Sequence, residues 1–147
     1  MQALMTLVKF QEAASKLYRI FSDKAFNKKQ YWMSLSIEKN LSVRWIRAQY
    51  IKPTSGLSGL SEGRLDITLL ENSLNFILTQ VAAWEKKELS FAQALMISAK
   101  IESVLLENKF FQAHGSDSYD LKYFLNALAR AYLDHYKRIK DTLEREH

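Results

Sequence analysis

Apolar side chains recur at three- and four-residue intervals in five stretches of this 147-residue chain, the spacing of one face of an α-helix. Residues 3–22 place Leu4, Leu7, Gln11, Ala14, Tyr18 and Phe21 on one stripe. Residues 28–50 place Trp32, Leu35, Lys39, Ser42 and Ile46 on a second. Ile67, Leu70, Leu74, Ile77, Val81 and Trp84 predict a third helix over 66–86. A fourth, over 91–111, carries Leu95, Ser98, Glu102 and Leu105. The last, over 118–144, carries Leu121, Leu125, Leu128, Tyr132, His135 and Ile139.

The breaks between these stretches have turn chemistry. Asn27 with Gln30, Thr68 with Glu71, and Ser90 with Gln93 have the spacing of capping boxes. Residues 52–63 hold the only proline and three of the four glycines, which marks a loop open to motion and proteolysis. His114-Gly-Ser-Asp117 reads as a turn. No stretch alternates like a strand. The short links pair the first two helices and the last two as antiparallel hairpins, with the third as a crossover. The pattern predicts one all-α domain over 1–147, a four-helix bundle with an additional crossover helix.

The stripes are not uniformly apolar. Gln11, Lys39, Ser42, Glu102, Tyr132 and His135 occupy inward positions near the middle of four helices. Lys39/Ser42 and Tyr132/His135 are i,i+3 pairs, so each pair projects from one face about one turn apart. A buried lysine needs a counter-charge, and Glu102 is the acidic residue among the six. We therefore expect Lys39 to pair with Glu102, with the other four side chains completing the hydrogen bonds.

Four segments, in order, resemble the rubrerythrin and ferritin-like superfamily. Gln11-Glu-Ala-Ala-Ser-Lys-Leu-Tyr18 resembles the family segment with a ligand Glu seven residues before a Tyr. Tyr31-Trp-Met-Ser-Leu-Ser-Ile-Glu-Lys-Asn-Leu-Ser42 resembles its FWxxLAxEExxH segment. Ala99-Lys-Ile-Glu102 resembles its third ligand helix, and Leu128-Ala-Arg-Ala-Tyr-Leu-Asp-His135 its last. The resemblance implies a ferritin-like antiparallel bundle whose relatives hold two irons between a Glu on each of two helices and a Glu-x-x-His on each of the others. In this chain the ligand positions fall on Gln11, Lys39, Ser42 and Tyr132, and only Glu102 and His135 are kept. What the resemblance implies is a protein that has lost di-iron catalysis, carries no cofactor and serves as a structural or protein-interaction module. The alternative is a metal-binding ferritin-like oxidoreductase that keeps iron or manganese at Glu102 and His135, with Glu12 supplying a ligand through a one-residue register shift.

Composition narrows the classes further. No cysteine is present, which excludes disulfides, thiolate metal sites and a cysteine nucleophile. The net charge of +5 comes from scattered residues. Its nearest cluster, Lys137, Arg138, Lys140 and Arg145, is interleaved with Asp141, Glu144 and Glu146, so a solvated helix face is expected and nucleic-acid binding is not. No run has the roughly 18 apolar residues of a membrane span, and no secretory leader pattern opens the chain, so a cytoplasmic protein is expected. Ser42 near His135 makes no nucleophilic triad, since no nucleophile elbow or oxyanion loop accompanies them. Aromatic residues near helix ends, Tyr119 and Tyr123 among them, exceed the needs of one core and imply a homodimer or a partner protein. His114 and His147 are expected to be exposed.

Overall fold

A computed structural model of the chain describes residues 2–24, 26–51, 57, 60 and 64–146. Within them lie five α-helices and no strand: α1 (Gln2–Lys24), α2 (Lys29–Ile51), α3 (Ile67–Trp84), α4 (Phe91–Glu107) and α5 (Tyr119–Arg145). The chain is all-α. Most of the 52–63 loop, expected to be mobile, and His147 lie outside the described residues. Leu57 and Leu60, which are described, are both buried.

The periodicity that predicts each helix also decides what it buries. Every predicted stripe residue of α1, α4 and α5 is buried, from Leu4 to Ile139. A 3-10 turn, Phe26–Lys28, joins α1 to α2. Contacts between Tyr18 and Trp32, Ser15 and Ser36, and Gln11 and Ser42 run in opposite senses along the two helices, so they are antiparallel. α4 and α5 are likewise antiparallel, because Phe111 meets Tyr132 while Glu102 lies near His135. Across the core, Trp45 of α2 stacks on Phe124 of α5 at 5.2 Å. α3 packs mainly on α1 and touches α4 more lightly.

The caps differ in part from the sequence reading. Ser90 and Gln93 form the expected capping box, each side chain accepting the other's backbone N–H. For α3 the cap is Asp66 rather than Thr68, its carboxylate accepting from Leu69 N–H at 3.0 Å. The fourth helix stops at Glu107, short of the expected 111. Phe110 N–H reaches back to Leu105 C=O at 2.9 Å and Lys109 N–H to Leu106 C=O at 3.1 Å, closing a Schellman motif. Lys109 sits at φ 53°, where glycine is normal. The motif turns Phe110 and Phe111 back into the core. Replacing Lys109 with glycine is expected to raise stability by about 1 kcal/mol, since a side chain in the left-handed region costs that much. Denaturant midpoints of the two proteins check it.

One aromatic cluster closes an end of the core. Tyr18, Phe21, Tyr31, Trp32 and Phe91 contact one another with ring centroids 5.0–6.4 Å apart. It adjoins the polar layer through Tyr18.

Candidate functional site

Glu102, on the middle of α4, is fully buried and is the centre of the polar layer. Its Oε1 accepts from Lys39 Nζ of α2 at 2.6 Å. Its Oε2 accepts from the Tyr18 hydroxyl of α1 in a short hydrogen bond. The Lys39 ammonium also lies 4.0 Å over the ring centroid of Tyr132, a cation–π contact with α5. The Tyr132 hydroxyl donates to Gln11 Oε1 at 2.8 Å, and Gln11 Nε2 donates to Ser42 Oγ at 2.8 Å. Two hydrogen-bonded strings, Tyr18–Glu102–Lys39 and Tyr132–Gln11–Ser42, therefore meet where the ammonium faces the tyrosine ring. Four helices contribute to this layer, and all of its members but the half-buried Ser42 are buried.

Burial opposes charge on both partners, and pairing decides the outcome. Desolvation pushes Glu102 upward, but the Lys39 ammonium and then His135 outweigh it and hold the carboxyl at about 2. Desolvation lowers Lys39 from the usual lysine range, and the Glu102 carboxylate offsets part of that. Burial, reinforced by the Glu102 charge, pushes the Tyr18 and Tyr132 hydroxyls far above the usual phenol range. Both tyrosines are neutral donors at ordinary pH. The layer is thus a charged pair flanked by two neutral, hydrogen-bonded tyrosines.

His135 faces two carboxylates without hydrogen-bonding either. Its Nδ1 is 3.7 Å from Glu102 Oε1 and its Nε2 is 3.6 Å from Glu38 Oε1. Both separations exceed hydrogen-bond range. Glu38 belongs to an outer network on α2 and α5. Arg138 Nη1 donates to both Glu38 oxygens at 2.9 Å and to Asp134 Oδ2 at 3.2 Å, while Nη2 donates to Ser34 Oγ at 3.0 Å. Glu38, Asp134 and His135 each offer a metal-ligand atom, all within 4.8 Å of one another.

The structure brings together Gln11, Lys39, Ser42, Glu102, Tyr132 and His135. It does not bring Glu12, whose half-exposed carboxylate lies 3.3 Å from Arg47. Lys16 reaches toward Glu85. Sequence reasoning missed Tyr18 as a donor to Glu102, since its place on an apolar stripe reads as core. It also missed a serine knot one turn away, in which Ser15 Oγ and Ser36 Oγ each donate to the other's backbone carbonyl at 3.0 and 2.9 Å. Two small residues facing each other where α1 meets α2 are its only trace in the sequence.

Among the described residues no helix is long and apolar enough to cross a membrane. Compared with protein-family models, curated proteins and solved structures, the chain finds no match.

Proposed function

We propose that this chain is a ferritin-like four-helix bundle with a crossover helix, in which an internal ion pair stands where relatives would hold two metal ions. The observation that carries the reading is the Lys39–Glu102 contact of 2.6 Å in a fully buried layer. A di-iron centre needs several carboxylates to bridge and neutralise two dications. This layer offers one carboxylate, with both oxygens already accepting hydrogen bonds, and an ammonium beside it. The residues do not fit such a centre. The same contacts weigh against a reduced site at Glu102 and His135, because a metal there would have to displace Lys39 or Tyr18.

On this reading the protein is a cytoplasmic structural or interaction module rather than a catalyst. Exposed Ile37, Leu41, Met96, Tyr119 and Tyr123 supply apolar surface for a second copy or a partner protein. The test is anaerobic loading of the purified chain with iron or manganese and then exposure to air, followed by metal analysis and optical spectroscopy. The expected result is no bridged metal pair. About two ions per chain together with an oxo-bridge absorption band would sink the proposal.

A further inference from the structure

We propose that Glu38, Asp134 and His135 form a mononuclear site for a divalent cation of the zinc type at the outer edge of the α2–α5 contact, with Arg138 as its built-in competitor. The site is separate from the Lys39–Glu102 core and does not depend on a ferritin-like ancestry.

A tetrahedral zinc ion with ligand bonds near 2.1 Å holds its ligand atoms roughly 3.4 Å apart. His135 Nε2 and Glu38 Oε1 are 3.6 Å apart, too far for a hydrogen bond and close to that ligand spacing. Asp134 offers an oxygen within 4.8 Å of the other ligand atoms. Its side chain is 61% exposed and Glu38's is 40%, so an ion can enter and a water can take the fourth position.

His135 is the buried member of the cluster. Its side chain is only 6% exposed, yet its buried Nδ1 makes no hydrogen bond. Buried imidazole nitrogens normally find partners. Here Nε2 faces the Glu38 carboxylate of the cluster, and Nδ1 faces the fixed carboxylate of Glu102 from behind at 3.7 Å. A carboxylate that accepts the far ring N–H orients a metal-bound histidine; Glu102 Oε1, 3.7 Å from Nδ1, comes into that range once the ring moves slightly toward it.

Two carboxylates, Glu38 and Asp134, share a single guanidinium, whose Nη1 lies 2.9–3.2 Å from three of their oxygens. Arg138 already occupies the position of a cation in this cluster. A dication would take that place, neutralise both carboxylates and tie α2 to α5 through three protein ligands. Carboxylate oxygen and imidazole nitrogen are both donors that zinc takes.

The experiment is calorimetric titration of Zn²⁺ into the full chain after chelator treatment, with Glu38→Gln, Asp134→Asn and Arg138→Gln tested beside it. The expected result is saturable binding of one ion, weakened by tenfold or more, on the order of 10–100-fold, in Glu38→Gln and in Asp134→Asn. Arg138→Gln should bind zinc more tightly, because its competing charge is gone. In parallel, zinc should shift the His135 ring nitrogen resonances. Absence of saturable binding overturns the inference, as does binding that Glu38→Gln and Asp134→Asn leave unchanged. Neither result touches the metal-free core reading, which fails only if a bridged pair of ions forms at Glu102.

Discussion

Replacing Lys39 with methionine is expected to cost about 3–5 kcal/mol of folding stability. The substitution keeps most of the side-chain volume and removes the charge. It leaves Glu102, with no exposed surface, facing Tyr18 and His135 but without its 2.6 Å ammonium partner. It also removes the cation from over the Tyr132 ring. An uncompensated buried carboxylate costs more than the net worth of the pair it came from. Against total stabilities of roughly 5–15 kcal/mol, such a loss can unfold the domain. Removing both charges, in Lys39→Met with Glu102→Leu, should restore much of the stability, because an apolar pair needs no counter-charge. Urea denaturation of the three proteins at neutral pH decides the matter. If the double variant is no more stable than the single one, the pairing account is wrong.

Acid is expected to remove the same stabilisation without any mutation. Glu102 is held at about 2 in the folded protein against an ordinary value of 4.5. A carboxyl with a depressed folded-state value contributes stability that is fully present above its unfolded value. That stability is lost as pH falls from about 4.5 through 2. A shift of this size corresponds to on the order of 3 kcal/mol. Asp117 adds to the same fall, since the Arg64 guanidinium and the His114 N–H hold it well below the usual carboxylate range. Wild type and Lys39→Met separate the two sources. Lys39→Met keeps the Asp117 contribution and should lose most of the Glu102 one. Denaturant midpoints measured from pH 6 to pH 2 give the comparison. Parallel curves for the two proteins would show that Glu102 owes its low value to something other than Lys39.

His135 lies between the outer cluster and the Lys39–Glu102 pair and couples the two. His135 stands between the Glu102 carboxylate on one side and the Glu38 carboxylate on the other. An ion at the outer edge would draw on a histidine whose orientation depends on the core pair. Loosening Glu102 in Lys39→Met should therefore also loosen the outer ligand set.

How much of this was legible before folding depends on the range of the interaction. Lys39 and Glu102 each announced themselves, because a charged residue on an otherwise apolar helical stripe is anomalous within its own helix. Ser90 and Gln93 were legible for the same reason, since a capping box spans four consecutive residues. The end of α4 was not, because Lys109 takes a conformation that normally calls for glycine and leaves no local stop signal. Tyr18 looked like core, and core is where its ring lies. Only the placement of α4 beside α1 gave its hydroxyl a carboxylate to serve.

Helix number, helix faces and the polar gap were therefore decided locally, by hydrophobic spacing and by side chains within about one turn of each other. Partner choice was decided by tertiary structure. Glu38 lies beside the inward stripe, and Arg138 stands 100 residues later; alone, each reads as an ordinary charge on a solvated face. The antiparallel contact of α2 with α5 places them 2.9 Å apart, and α4 supplies Glu102, the second of the two carboxylates that flank His135. A helix specifies which of its residues face inward through a repeat of 3.6 residues. Which atoms meet there depends on how distant helices slide and rotate against one another, and no single helix carries that information.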